Sequence, residues 1–192
     1  MTRVKSKYKL GAGGRNPTKE TPFTVRDGVL GSDCSGFVRW CWQIDRYQPK
    51  WFPLYDGWIN CDSLMLAGAR GAARLGTLKW DESRDAFHTL PGAYAARPGD
   101  AVVFPSIWKA GKRLRVGHEG IIVEVPLEAP TREEWETIYS NKDRANYLKG
   151  IKVIDCNASW RRRVSGYAIG ETTAYALWNK PDAVYVRFLG AP

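Results

Sequence analysis

Histidine is almost missing from this chain: His88 and His118 are the two in 192 residues. Any chemistry that needs an imidazole therefore has two addresses. Cysteine is sparse too, and positions 34, 41, 61 and 156 show none of the short paired spacings of zinc sites, so no metal or other cofactor is expected. In a helix, Cys34 and Cys41 would stand about 10 Å apart, too far for a disulfide. Cys41, Cys61 and Cys156 read as reduced, small, buried side chains. No apolar run reaches the roughly 18 residues of a membrane span. The basic start, residues 1–7, is not followed by a signal-peptide core. Those absences imply synthesis in the cytosol, no membrane span, and another route out for any work outside the cell. Phosphate-binding glycine loops and RNA-binding aromatic signatures are absent as well, so nucleic acid has only charge in its favour and is not expected as a partner. No internal repeat or low-complexity tract breaks the chain.

Acidic residues are outnumbered 20 to 29, for a net charge of +9, which favours an anionic partner. Length and a 44% hydrophobic share suit a single domain over 1–192 with a proper core. The nine Trp and nine Tyr exceed what a core of this size needs, and some could line a groove. Residues 1–20 form a basic, Gly-rich segment. Apolar periodicity predicts a helix from about Ser35 to Asp45 and a second from about Leu64 to Leu75, capped by Asp62 or Ser63 and stopped by Gly76. Arg97-Pro98-Gly99-Asp100 is a turn launching the strand Ala101-Val102-Val103-Phe104. A hairpin loop at residues 109–113 leads into a strand over 115–125. Thr131-x-x-Glu134 is a capping box for a helix to about Tyr147, inside an inserted helical segment at 126–150. Strands follow at 151–155 and 183–188, and residues 161–173 read as a polar, Gly-containing stretch. Helices first and an antiparallel sheet second make the class α+β.

Cys34 is the strongest chemical candidate. It follows a Gly/Ser/Asp turn at the start of an apolar helical pattern, where free N–H groups and the helix dipole favour a thiolate. Ser35 and Gly36 leave room for a carbonyl, and the same N–H groups suit an oxyanion. Asp33 caps the helix. His118, flanked by glycines before the apolar run Ile121-Ile122-Val123, is the better base; His88 lies in an irregular segment next to Pro91. A third group is needed to orient the imidazole. Asp155 and Asn157 both qualify, because residues two apart in a strand share a face, and antiparallel pairing would bring that end beside His118. Asn157-Ala158-Ser159 also matches a glycosylation sequon, idle in a cytosolic chain.

Several pieces in order resemble the NlpC/P60 family of cell-wall cysteine peptidases. They are Tyr8-Lys9-Leu10-Gly11 with Gly13-Gly14, Asp33-Cys34-Ser35-Gly36-Phe37-Val38, Pro98-Gly99-Asp100 with its strand, and Gly117-His118-Glu119-Gly120. The resemblance spans residues 8 to about 160. It implies a papain-like fold with Cys34 as nucleophile, His118 as base and Asn157 as third residue, taking the place of the family's usual His. It also implies that Tyr8, Asp33 and Ser35 shape the subsite beside the thiol, and that the substrate is a peptidoglycan stem peptide cut at a γ-D-glutamyl–diamino-acid bond. Arg161, in Arg161-Arg162-Arg163, reads either as a solvated turn or as a clamp for that peptide's carboxylates. Asp155-x-Asn157 resembles instead the acid-x-Asn pattern of the CHAP amidases. An acyltransferase on the same architecture and a non-catalytic cell-wall-binding module are the remaining alternatives. A catalytic domain without a secretion signal would suit a phage lysis or tail-associated enzyme. The longer stretches at 16–32 and 126–150 are expected to build groove walls.

Overall fold

A computed structural model of the chain describes residues 6–13, 23–47, 58–67, 87–138, 140–157, 167–178 and 183–189. Three short strands come first, β1 (Lys7–Tyr8), β2 (Thr24–Arg26) and β3 (Val29–Ser32), followed by α1 (Cys34–Cys41) and α2 (Cys61–Ala67). Then come β4 (Phe87–Thr89), β5 (Ala101–Phe104), the hairpin β6 (Ile107–Lys109) and β7 (Lys112–Arg115), and β8 (His118–Glu124). The remaining elements are α3 (Asn141–Gly150), β9 (Lys152–Cys156), β10 (Ile169–Thr173), α4 (Ala174–Trp178) and β11 (Val184–Phe188). Among the described residues six strands form the central sheet, in the order β10-β9-β8-β5-β11-β4, with every neighbouring pair antiparallel. The class is α+β.

Both faces of that sheet are covered, which is why β5 is apolar at every position instead of alternating. Ala101 and Val103 pack with Phe37 and Val38 of α1 and Leu64 of α2. Val102 and Phe104 point the other way, toward Tyr147 and Ala174. Ile121 and Ile122 of β8 divide between the two clusters in the same manner. The expected turn before β5 is present. Gly99 takes φ +95, and Arg97 N–H donates to Asp100 Oδ2 at 2.7 Å. The hairpin at 109–113 is present as well, with Ala110 and Gly111 both at positive φ.

Several expected boundaries move. α1 ends at Cys41, because Ile44 N–H reaches Arg39 O and Gln43 N–H reaches Trp40 O around a left-handed Gln43, a Schellman stop. α2 starts earlier than expected, at Cys61, since the side chain of Asn60 accepts from the N–H groups of Asp62 and Ser63; residues 68–75 lie outside the described part. The strand expected over 115–125 is broken at Val116-Gly117 into β7 and β8. The Thr131–Glu134 capping box forms, but it opens only a short turn with a π-helical stretch, Glu134–Ile138. A second box, Ser140 with Asp143, starts α3. Part of the polar stretch at 161–173 is the strand β10, paired along β9.

Tyr147 of α3 packs on the sheet face away from α1, and residues 126–150 supply none of the cleft lining beside Cys34. Among the described residues, this insertion therefore does not wall the cleft beside Cys34. The other long stretch does reach it, through Arg26 of β2. No described helix is long and apolar enough to cross a membrane.

Candidate active site

The site forms where the start of α1 meets the start of β8. Asp33 caps α1 from extended backbone, its Oδ1 accepting Gly36 N–H at 2.7 Å. Its other oxygen accepts Gly11 N–H at 2.7 Å, and Arg46 Nη2 bridges both oxygens at 2.8 and 2.7 Å. Ser35 Oγ adds a longer bond to Oδ1, at 3.2 Å. This carboxylate is buried and fully engaged. It holds the helix start and lines the cleft, with both oxygens already taken. The cap takes up the N–H groups of Gly36 and Phe37, which leaves those of Cys34 and Ser35 as the open donors of the first turn.

Cys34 opens α1, buried at the base of a cleft of about 350 Å³ that Tyr8, Asp33 and Ser35 also line. Its Sγ lies 3.8 Å from Cys61 Sγ. His118, the first residue of β8, places Nε2 2.8 Å from Asp155 Oδ2, so its other ring nitrogen serves Cys34. The register explains the contact: Asp155 is paired opposite Gly120, where a Cβ would collide with Val153 and crowd Asp155. Phe104 backs the imidazole, ring centroids 5.8 Å apart. His88 lies on edge strand β4, with β11 and β5 between it and β8.

Asn157, expected to orient His118, does not. Its Nδ2 donates to Asp155 Oδ2 at 2.6 Å, and it is that carboxylate oxygen that meets His118 Nε2. Both residues share the face; Asp155, paired opposite Gly120, reaches His118 diagonally past that missing side chain, whereas continuing the same register would set Asn157 level with His118, beyond the end of β9. Arg161 lies outside the described residues.

Charge in the site is set by its neighbours. A hydrogen bond from Cys61 and the His118 partnership hold the Cys34 thiol well below the usual thiol range, against burial and the Asp33 charge. Cys61 is pushed the other way, by its bond to Cys34, by burial and by the nearby Glu119 charge, so it stays the donor. Burial works against a charged His118, yet Asp155 and Cys34 outweigh it and raise the imidazole to about 10. Burial and the Cys34 charge also raise Tyr8, keeping its phenol a hydrogen-bond donor toward the sulfur. The resting pair is a thiolate beside an imidazolium. Iodoacetamide should therefore label Cys34 at pH values well below the ordinary thiol range near ~8.5, and His118→Ala should move that onset upward. A profile identical to that of Cys41, which burial lifts to about 12, would contradict the assignment.

Four residues of the site, Arg46, Glu119, Arg39 and Cys61, escaped the sequence reading. Nothing in the spacing of Arg46 marks a partner for Asp33. Glu119 and Arg39 are a buried pair, 2.5 Å apart and almost without exposure, that ties α1 to β8 directly behind the thiol. An acid set among the Gly and Ile residues of a buried strand and the one cation of the Cys34–Cys41 helix were a legible signal. Glu119 Oε1 also accepts from Cys61 Sγ, at 3.7 Å, and burial lifts its carboxyl to about 7 despite Arg39. Cys61 comes from α2, and Gly117 lets it approach: a Cβ there would stand 2.9 Å from Cys61 Cβ and from Ser106 N. No protein-family model matches the chain, and neither does any curated protein or solved structure.

Proposed function

We propose that the chain is a cysteine hydrolase of the NlpC/P60 kind, papain-like in fold, which cuts an amide bond in the stem peptide of peptidoglycan. The observation that carries the reading is the line Cys34–His118–Asp155 with the sulfur on the first residue of a helix. The thiolate attacks the carbonyl carbon, and the oxyanion rests on the N–H groups of Cys34 and Ser35. The imidazolium gives its proton to the departing amine. The now neutral His118 then takes a proton from water, whose oxygen attacks the thioester and frees the acid product. Asp155 fixes the ring through Nε2 and favours its charged form.

The net charge of +9 suits an anionic wall, and the polar side chains set into the cleft, Arg46, Asn60 and Asp62 among them, suit a peptide better than a lipid acyl chain. One observation favours a second reading. The acid of an acid-x-Asn pair meets His118, as in the likeness to CHAP amidases, so the bond between sugar lactyl group and peptide is the alternative target.

Incubating the protein with purified peptidoglycan of several chemotypes, followed by mass spectrometry, decides between these. Stem-peptide fragments ending at a new carboxyl are expected, and prior alkylation of Cys34 should stop their release. Intact stem peptides freed from sugar would select the amidase. No release from any wall would leave a binding module and end the hydrolase reading.

A further inference from the structure

We propose that Cys34, Cys61 and Glu119 form a binding site for one soft divalent metal ion, zinc or cadmium, which enters through the cleft and silences the nucleophile while bound. One ligand atom from each of the three residues lies within 4.8 Å of the other two. They come from α1, α2 and β8, and this separation in sequence explains why cysteine spacing shows no metal site.

The distances fit a tetrahedral ion. Two thiolates bound at about 2.3 Å to zinc stand about 3.8 Å apart, and a thiolate and a carboxylate oxygen stand about 3.5 Å apart. The sulfurs here are 3.8 Å apart, and Cys61 Sγ is 3.7 Å from Glu119 Oε1. Binding requires the loss of the Cys61 proton, and Cys34 Sγ already lies within 4.8 Å of a Glu119 oxygen.

Supporting contacts are in place. Arg39 holds Glu119 Oε2, leaving Oε1 directed at Cys61, which is the outer-sphere support that metal carboxylates ordinarily have. Charge balances too: two thiolates meet the dication, and Arg39 offsets Glu119. Arg39 also lies over the Trp42 ring, 4.7 Å from its centroid. Both cysteines line the cleft, which gives the ion its entry path and leaves a fourth position open toward it. Binding would take the lone pair of Cys34 that attacks substrate, so occupancy and hydrolysis exclude each other. The ion-binding claim needs no substrate and stands apart from the cell-wall reading.

The test is a Co²⁺ titration of the full, metal-free chain under a phosphine reductant. Thiolate-to-cobalt charge-transfer absorption is expected, saturating at roughly one ion per chain and displaced by Zn²⁺. Cys34→Ala and Cys61→Ala should abolish the band, Glu119→Gln should weaken binding at least ~10-fold, and Cys41→Ala should bind as the wild type does. On the unmodified protein, Zn²⁺ should shield Cys34 and Cys61 together from alkylation, read by peptide mapping. A charge-transfer band that survives Cys61→Ala, no band in the wild type, or protection of Cys34 without Cys61 would each overturn the site.

Discussion

Asp155→Asn lowers turnover on the order of 10³–10⁴-fold, while Asn157→Ala costs roughly tenfold or less. The difference follows from who touches the imidazole. Asp155 accepts from His118 Nε2 at 2.8 Å, and an amide at that position can donate, which permits the wrong ring tautomer and removes the charge that balances the imidazolium. Asn157 Nδ2 donates to that carboxylate, so its loss loosens Asp155 and leaves the Asp155–His118 contact in place. The pH profile separates a chemical role from a structural one. Since Asp155 contributes to lifting His118 to about 10, Asp155→Asn should lower the basic limb of the activity profile, and Asn157→Ala should leave that limb nearly in place. Equal losses in the two variants, with identical profiles, would return the orienting role to Asn157. Activity on released stem-peptide fragments is the readout.

Arg39→Met destabilises the fold by about 3–5 kcal/mol at pH 8, a fall in Tm of roughly 10 °C or more for a chain of this size. The pair is 1% and 0% exposed, so removing the guanidinium strands a carboxylate in the interior. Glu119 is an acid raised to about 7 from an ordinary value near 4.5. Between those two values the folded state holds more protons than the unfolded one, so stability falls as pH rises through that window and is recovered in acid. Without Arg39 the window reaches further upward. The deficit of the variant should therefore grow from pH 5 to pH 8. Adding Glu119→Gln should recover most of it, because an amide leaves no buried charge. Thermal unfolding of the three proteins at both pH values provides the check. A single variant within about 1 kcal/mol of wild type at pH 8 would mean that solvent reaches Glu119.

What could be read from the letters was local. A turn of small and acidic residues before an apolar helix pattern located Cys34, and the scarcity of histidine located His118. The Pro98-Gly99 turn and the continuous apolar run of β5 were equally plain, because each is decided within a few residues. The parts missed depend on pairing at a distance. Asp155 and Asn157 are equivalent in a strand taken alone, and what separates them is the diagonal reach of Asp155 to His118 past the bare Gly120 opposite it. Cys61 had no reason to be near Cys34 until α2 was laid against β5 and Gly117 allowed close approach. Thr131-x-x-Glu134 was a true capping box that said nothing of how far its helix would run, and a second box at Ser140 restarts the chain.

The Arg39–Glu119 pair joins residues 80 positions apart, and β11 completes the sheet by inserting between β5 and β4. On a ribosome, α1 emerges long before its partner exists. Its arginine has no carboxylate to meet and its thiol no imidazole. A nascent chain therefore lacks the Cys34–His118–Asp155 line until Asp155 has cleared the exit. What the cleft offers is thus assembled late, by the pairing of segments made far apart in time.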